Sequence, residues 1–275
     1  MTVDVNEGYQ EFCDFLEKQS GICLGASKQY LVSSRLRKIL MEQKVKNLRE
    51  LVSIMSRSGG HGLKSAVVDA MTTNETLWFR DIHPFRILEE KLLPEFYQKR
   101  SARPLRIWSA ACSTGQEPFS ISMIMEDLKA RGKGGNGGEK IIATDISPSA
   151  LASAKAAEYA MLAIGRGLDP ERLKRHFQEV PGGRWKVKPN ITQRVEFRSL
   201  NLQESYALLG KFDIVFCRNV LIYFTGDLKR DILTRIHATL NPGGYLLVGA
   251  SEAVNGLSEL YEMVHCRPGI IYRKR

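Results

Sequence analysis

Two acids stand where a ligand would meet them. Glu117 follows the apolar run Leu105-Arg106-Ile107-Trp108-Ser109-Ala110-Ala111 and the small-residue turn Cys112-Ser113-Thr114-Gly115, with Pro118 next. A strand that turns sharply into a helix offers unpartnered backbone N–H groups at the sheet's carboxyl edge, here with one carboxylate beside them. Asp145 ends a second apolar run, Ile141-Ile142-Ala143-Thr144, about 30 residues after that turn. A carboxylate in that position can accept both hydroxyls of a ribose.

Each acid also has a structural reading. Thr114 as N-cap with Glu117 three residues later is a capping box, and on spacing alone Glu117 serves a helix start as well as a ligand ammonium. For Asp145 the alternative is helix capping. Ser147-Pro148 already supplies an N-cap and a first helical residue, which frees Asp145 for a ligand. The usual Gly-x-Gly-x-x-Gly of dinucleotide binders is missing from the strand-to-helix turn at 112–118, which argues against nicotinamide or flavin cofactors. S-adenosylmethionine, with a ribose, an amino-acid head and no pyrophosphate, fits better.

Further polar groups gather at the same edge. Phe212-Asp213-Ile214-Val215-Phe216-Cys217 reads as a buried strand that leaves through Arg218-Asn219 towards Tyr223, and Asn201-Leu202 closes the strand before it. Thr72-Thr73-Asn74-Glu75-Thr76-Leu77-Trp78-Phe79-Arg80-Asp81 is too aromatic for a linker and is placed to fold back over the crevice as a lid.

Positioning these groups takes an alternation of strands and helices. Strands are predicted at 105–111, 140–144, 194–198, 212–217 and 244–248, with helices over 117–130, 148–158 and 226–240, and edge strands within 262–273. That is a mostly parallel sheet with helices on its faces. Before residue 105 only helical spacing appears, over 9–18, 28–44, 48–55, 63–71 and 84–99, with Ser58-Gly59-Gly60-His61-Gly62 as a turn. Pro181-Gly182-Gly183 between Val180 and Trp185/Val187 predicts an inserted antiparallel hairpin. Gly132 to Gly138 is a surface loop.

The chain has 275 residues, a formal charge of +10 and a pI near 9.4. The balance favours an anionic partner such as nucleic acid, acidic lipid or an acidic protein surface. Its five cysteines are scattered without metal-ligand spacing, as reduced cytoplasmic thiols would be, and neither a secretory signal nor a membrane span is expected. Lys28, Arg35, Arg37, Lys38, Lys44, Lys46 and Arg49 crowd one helical region, with only Glu42 opposing them.

Four motifs in order, Thr73-Asn74-Glu75-Thr76 with Phe79-Arg80-Asp81, Trp108 to Pro118, Ala143-Thr144-Asp145-Ile146-Ser147 and Phe216 to Phe224, together with the closing Gly243 to Glu252, resemble the CheR family. These are S-adenosylmethionine-dependent methyltransferases that esterify glutamates of bacterial chemotaxis receptors. The resemblance spans nearly the whole chain. It implies a helical receptor-binding domain with a lid segment over 1–83. A Rossmann-like class I methyltransferase domain would follow over 84–275, carrying a small antiparallel β-subdomain at about 176–193. In some members that subdomain docks a peptide at the receptor carboxyl terminus, and its tip, Pro181 to Arg184, is short here.

By the same resemblance Asn74, Thr76 and Arg80 line the cofactor pocket, Glu117 lies at the methionine end and Asp145 takes the ribose. Asn201, Leu202, Arg218 and Asn219 contact the adenosine side or close the pocket. Arg80 and Tyr223 are the catalytic candidates, Arg35, Arg37 and Lys38 the receptor-binding ones, and no metal is called for. The expected product is S-adenosylhomocysteine. The expected partner is the cytoplasmic signalling domain of the receptors, met by a cytoplasmic monomer with no membrane insertion. Two other readings compete. One is a nucleic-acid methyltransferase, for which Trp78 and Phe79 are the only evident stacking pair; the other is a non-catalytic sensor of the cofactor or its product.

Overall fold

Apolar residues three and four apart turn one face of each amino-terminal helix inward. The computed structural model describes residues 4–57, 60–98, 103–135 and 137–275, and the chain divides into two units. The first comprises Met1–Thr73 with Asn201–Gln203 and Tyr223–Lys229. Its helices are α1 (Tyr9–Ser20), α2 (Gln29–Glu42), α3 (Leu48–Ser56) and α4 (His61–Met71). Phe12, Leu16, Val32, Leu36, Leu40, Leu51, Met55, Val67 and Met71 form its buried face. Asn47 caps α3 by accepting the Glu50 N–H, and the Glu50 carboxylate reaches back to accept the Lys46 N–H just before the cap. The turn expected at 58–62 is partly outside the described residues (Ser58 and Gly59), and His61 and Gly62 already belong to α4.

The second unit holds Asn74–Leu200, Glu204–Ile222 and Arg230–Arg275. Its strands are β1 (Arg106–Ala110), β2 (Lys140–Asp145), β3 (Glu158–Ala160), β4 (Phe177–Val180), β5 (Arg184–Val187), β6 (Val195–Ser199), β7 (Phe212–Cys217), β8 (Leu240–Val248), β9 (Tyr261–Cys266) and β10 (Gly269–Lys274). Seven of them form one sheet in the order β6-β2-β1-β7-β8-β10-β9. The first five run parallel, while β10 pairs antiparallel with both β8 and β9. The chain leaves β1 on one side for β2 and β6 and later returns on the other for β7, so the order reverses at β1. Such a reversal opens a ligand crevice at the carboxyl ends of the strands.

Here the expected Rossmann-like arrangement is met, with two local differences. β8 begins four residues earlier than expected, because an irregular register lets Leu240 pair with Phe212 while Tyr245 pairs with Ile214. The strands expected at an edge include β10, which is internal.

Helices α5 (His83–Ile87), α6 (Leu93–Gln98), α7 (Gln116–Ala130), α8 (Pro148–Ala156), α9 (Met161–Ile164), α10 (Pro170–His176), α11 (Pro189–Thr192) and α12 (Gly226–Thr239) complete the elements used here. The single helix expected at 84–99 is α5 and α6 joined by a π-helical stretch, Leu88–Leu92, and Lys99 lies outside the described residues. So does Asn136 of the glycine-rich loop.

The Pro-Gly-Gly hairpin is present as β4 and β5, and β3 adds a third strand in the order β3-β5-β4. Asp127 of α7, buried, ties this small sheet's neighbouring helix down. Its carboxylate accepts from Arg175 (2.8 Å), His176 Nε2 (2.9 Å) and Arg172 (3.3 Å). Burial pushes the Asp127 carboxyl up. The hydrogen bond and charge of His176, with those of Arg175 and Arg172, outweigh that push and hold it below the usual range.

Candidate active site

Leaving β1, the backbone passes through Ala111 (φ 59°) and Ser113 (φ 52°) and reaches Gly115 at φ 94° before α7 begins. A Cβ at Gly115 would lie 3.1 Å from both the Tyr159 hydroxyl and Ala154, so position and conformation alike require glycine. This turn overturns the capping box expected at Thr114 and Glu117. Gly115 is the N-cap and bears no side-chain cap bond, α7 starts at Gln116, one residue after the start a Thr114 cap would set, and Thr114 Oγ1 bonds to the Gln116 side chain instead. Glu117 is thereby released from capping. Its carboxylate accepts from Ser109 Oγ of β1 (2.8 Å) and from Arg218 (2.8 Å), which follows β7.

Arg218 is the centre of the arrangement. Its side chain is 1% exposed and packs over the Phe85 ring. One terminal nitrogen serves Glu117. The other donates to the Asp81 carboxylate (2.7 Å) and the Arg80 carbonyl (2.8 Å). The guanidinium thus joins the segment before α5 to the first turn of α7. Arg218 Nε is buried with no partner among the described residues, an orphan donor of the kind a ligand acceptor satisfies.

Asp145 does not stand idle, contrary to the expectation from Ser147-Pro148. It accepts the Ser113 N–H (2.7 Å) and the Ser147 N–H (2.9 Å), pinning the β1–α7 turn to the β2–α8 turn. Ser147 caps α8 as expected, taking the Ala150 N–H, with Pro148 first in the helix.

The segment expected to be a lid is anchored to this floor. Asn74 donates to Ser147 Oγ (3.1 Å), and its carbonyl accepts from Ser113 Oγ (2.9 Å). Trp78 is fully buried, edge-on to Tyr159 and Phe177, with its indole N–H on the Ala163 carbonyl. Phe79 is 7% exposed. Thr76 and Arg80 are half-buried, and the Arg80 guanidinium donates to the Glu75 carbonyl. Phe79, Asp81 and Ile82 all have positive φ, as do Ala111, Ser113 and Asn219. Six of the eight described non-glycine residues with positive φ therefore lie in the segments that build this site, where backbone strain concentrates.

Beyond β7, Asn219 is organised by Glu252. This carboxylate accepts the N–H groups of Asn219 (2.7 Å), Gly249 (2.7 Å) and Ile222 (3.3 Å), joining the loops after β7 and β8. Glu252 and Asp81 had no role assigned from the sequence. Glu252 lies four residues past the end of β8, a position the sequence could have marked, whereas Asp81 lies between α4 and α5 with no such signal.

The remaining candidates belong to the helical unit. Asn201 donates to the Gln19 carbonyl (2.8 Å), Leu202 is buried, and the Tyr223 carbonyl accepts the Cys23 N–H (2.9 Å). Arg35 is spent on structure: it donates to the carbonyls of Met71 (2.6 Å) and Thr72 (2.9 Å) and to the Thr73 hydroxyl, satisfying the end of α4. Arg37 and Lys38 are exposed. Glu42 is not the only acid opposing the basic cluster, since Arg49 pairs with Glu7 and Glu11.

Known proteins match both units. Residues 7–72 match the model described as "CheR methyltransferase, all-alpha domain", and residues 74–270 match "CheR methyltransferase, SAM binding domain". The chain is 58% identical over 271 residues to Chemotaxis protein methyltransferase 1 of Pseudomonas aeruginosa, covering 98% of each. It is 52% identical over 268 residues to Chemotaxis protein methyltransferase 1 of Vibrio cholerae, covering 98% of this chain and 97% of that one. To the Chemotaxis protein methyltransferase of Salmonella typhimurium it is 33% identical over 253 residues, 90% of this chain and 84% of that one. With both domains matched in order along an α/β sheet whose carboxyl edge gathers Glu117, Asp145 and Arg218, the chain belongs to the CheR methyltransferase family.

Proposed function

We infer that this protein transfers a methyl group from S-adenosylmethionine to glutamate side chains of chemotaxis receptors, giving methyl esters and S-adenosylhomocysteine. One observation carries the choice of acceptor: both units match chemotaxis protein methyltransferases over nearly the whole chain. A glutamate carboxylate suits the reaction, since its ordinary pKa is about 4.3 and it arrives already ionised at neutral pH.

The residues present fit the cofactor. Asp145 sets a carboxylate at the carboxyl end of β2 for ribose hydroxyls, Glu117 offers a carboxylate to the ammonium of the methionine end, and Arg218 Nε is a buried donor awaiting an acceptor. Asn74, Thr76 and Arg80 line the pocket from their anchored segment, and Asn219 closes the adenosine side. When bound, S-adenosylmethionine supplies an electrophilic methyl group on a sulfonium. The chain has no proton to move. Its work is to align the acceptor, with Arg80 orienting the incoming carboxylate, and to keep water out. Alignment of this kind contributes up to roughly 7–11 kcal/mol in well-oriented systems.

The acceptor is the cytoplasmic signalling domain of the receptors, whose acidic methylation helices suit the exposed Arg37 and Lys38, with Arg35 bracing α2 behind them. The protein works as a cytoplasmic monomer, and no described helix is long and apolar enough to cross a membrane. A nucleic-acid methyltransferase loses its stacking pair, because Trp78 and Phe79 are core residues.

Incubation with methyl-tritiated cofactor and a receptor signalling fragment tests the reading. Base-labile methanol and a +14 Da shift on receptor glutamates are expected. Base-stable methylated RNA, or cofactor binding with no turnover on receptor, would overturn it.

A further inference from the structure

Glu117 presents a difficulty that its neighbours resolve. A carboxylate meant to attract a cationic cofactor is already held 2.8 Å from a buried guanidinium. Alone, the Glu117–Arg218 pair is formally neutral and offers a cation little. Asp81 places a second carboxylate on the same guanidinium at 2.7 Å, so two carboxylates share one positive group and the cluster carries a formal charge of −1. The Arg80 guanidinium does not cancel it within the cluster, since it turns to the Glu75 carbonyl.

We propose that Asp81 is a specificity-determining residue: it makes the Asp81–Arg218–Glu117 cluster net negative, and so favours the charged sulfonium cofactor relative to the neutral thioether product. The proposal rests on the cofactor reading above. S-adenosylmethionine and S-adenosylhomocysteine share the ammonium, the carboxylate and the nucleoside, and differ by one methyl and one positive charge. A net negative group near the methionine end acts on that difference. A group that merely holds the loop acts on both ligands alike. Asp81 also earns its backbone: its φ of 66° is a conformation that few side chains adopt, and it sets the carboxylate against Arg218.

The test is calorimetric, on the full chain. Dissociation constants for S-adenosylmethionine, S-adenosylhomocysteine and sinefungin (whose amine is positive where the sulfonium would be) are measured for the wild type, Asp81→Asn and Asp81→Glu. In Asp81→Asn the two cationic ligands should weaken relative to S-adenosylhomocysteine by about tenfold, the order expected of one unit charge about 12 Å away at an effective dielectric near 20. Asp81→Glu should return the ratio to within about twofold of wild type. If Asp81→Asn does not fold, as judged by circular dichroism, Asp81→Ser at the same 29%-exposed side-chain position makes the same prediction. Equal weakening of all three ligands, or an unchanged ratio, would show a structural role and overturn the proposal. A wild type that binds none of the three would instead overturn the cofactor reading, and this proposal with it.

Discussion

Asp145 shows how one carboxylate serves fold and ligand together. Its two backbone N–H partners belong to different turns, so removing its charge should loosen the floor of the site as well as the ribose contact. Asp145→Asn keeps one acceptor oxygen but turns an NH2 group towards an N–H. The expected cost is about 2 kcal/mol of stability, by the usual worth of hydrogen bonds to charged groups. Binding of S-adenosylhomocysteine should weaken by at least about tenfold. Urea titration and calorimetry read the two separately, and unchanged affinity in a folded variant would remove Asp145 from the cofactor site. Glu117 belongs to the same scale. Ser109→Ala deletes one of its two hydrogen bonds and leaves Arg218 in place, so it should weaken cofactor binding less than Glu117→Gln does. The reverse order would deny Glu117 its contact.

At the scale of elements, the Asp127 cluster fastens α10 and the strand after it to α7. The folded Asp127 carboxyl titrates lower than in the unfolded chain. Its contribution is therefore complete above the unfolded value of about 3.9 and is lost as pH falls through the lower folded value. Asp127→Asn should cost about 3 kcal/mol at pH 7, the scale for breaking a buried ion pair from one side, and the difference from wild type should shrink below about pH 4. Denaturant unfolding at several pH values checks this, and a pH-independent difference would contradict the assignment.

None of that cluster was legible in the sequence, because it depends on partners 45 to 49 positions apart. Periodicity reveals which face of α1 or α2 is apolar and that Phe212–Cys217 is a buried strand. It does not reveal β3, whose three residues become a strand only against β5. Motif spacing located Glu117, Asp145 and Arg218 at one sheet edge. It missed that Gly115 would displace the helix start, and that Trp78 would anchor its segment inside the core.

At the scale of the whole molecule, the formal charge of +10 bears on encounter with an acidic partner rather than on the fold. The basic residues of α2 divide by what they touch. Arg35 is committed to the end of α4, whereas Arg37 is exposed and Lys38 makes an exposed ion pair with Glu42 at 3.8 Å, a contact of little energy. Charge reversal should separate them. Arg37→Glu with Lys38→Glu should raise KM for an acidic receptor fragment severalfold while leaving kcat, S-adenosylhomocysteine affinity and Tm unchanged. Arg35→Glu should lower Tm, because it strips donors from two carbonyls. The KM effect should also fade between about 0.01 and 0.1 M salt, as the Debye length shortens from about 30 to about 10 Å. Steady-state kinetics at several ionic strengths, beside thermal melts, makes the distinction. A KM that responds neither to the double reversal nor to salt would place receptor recognition elsewhere on the molecule and leave the excess charge to solubility alone.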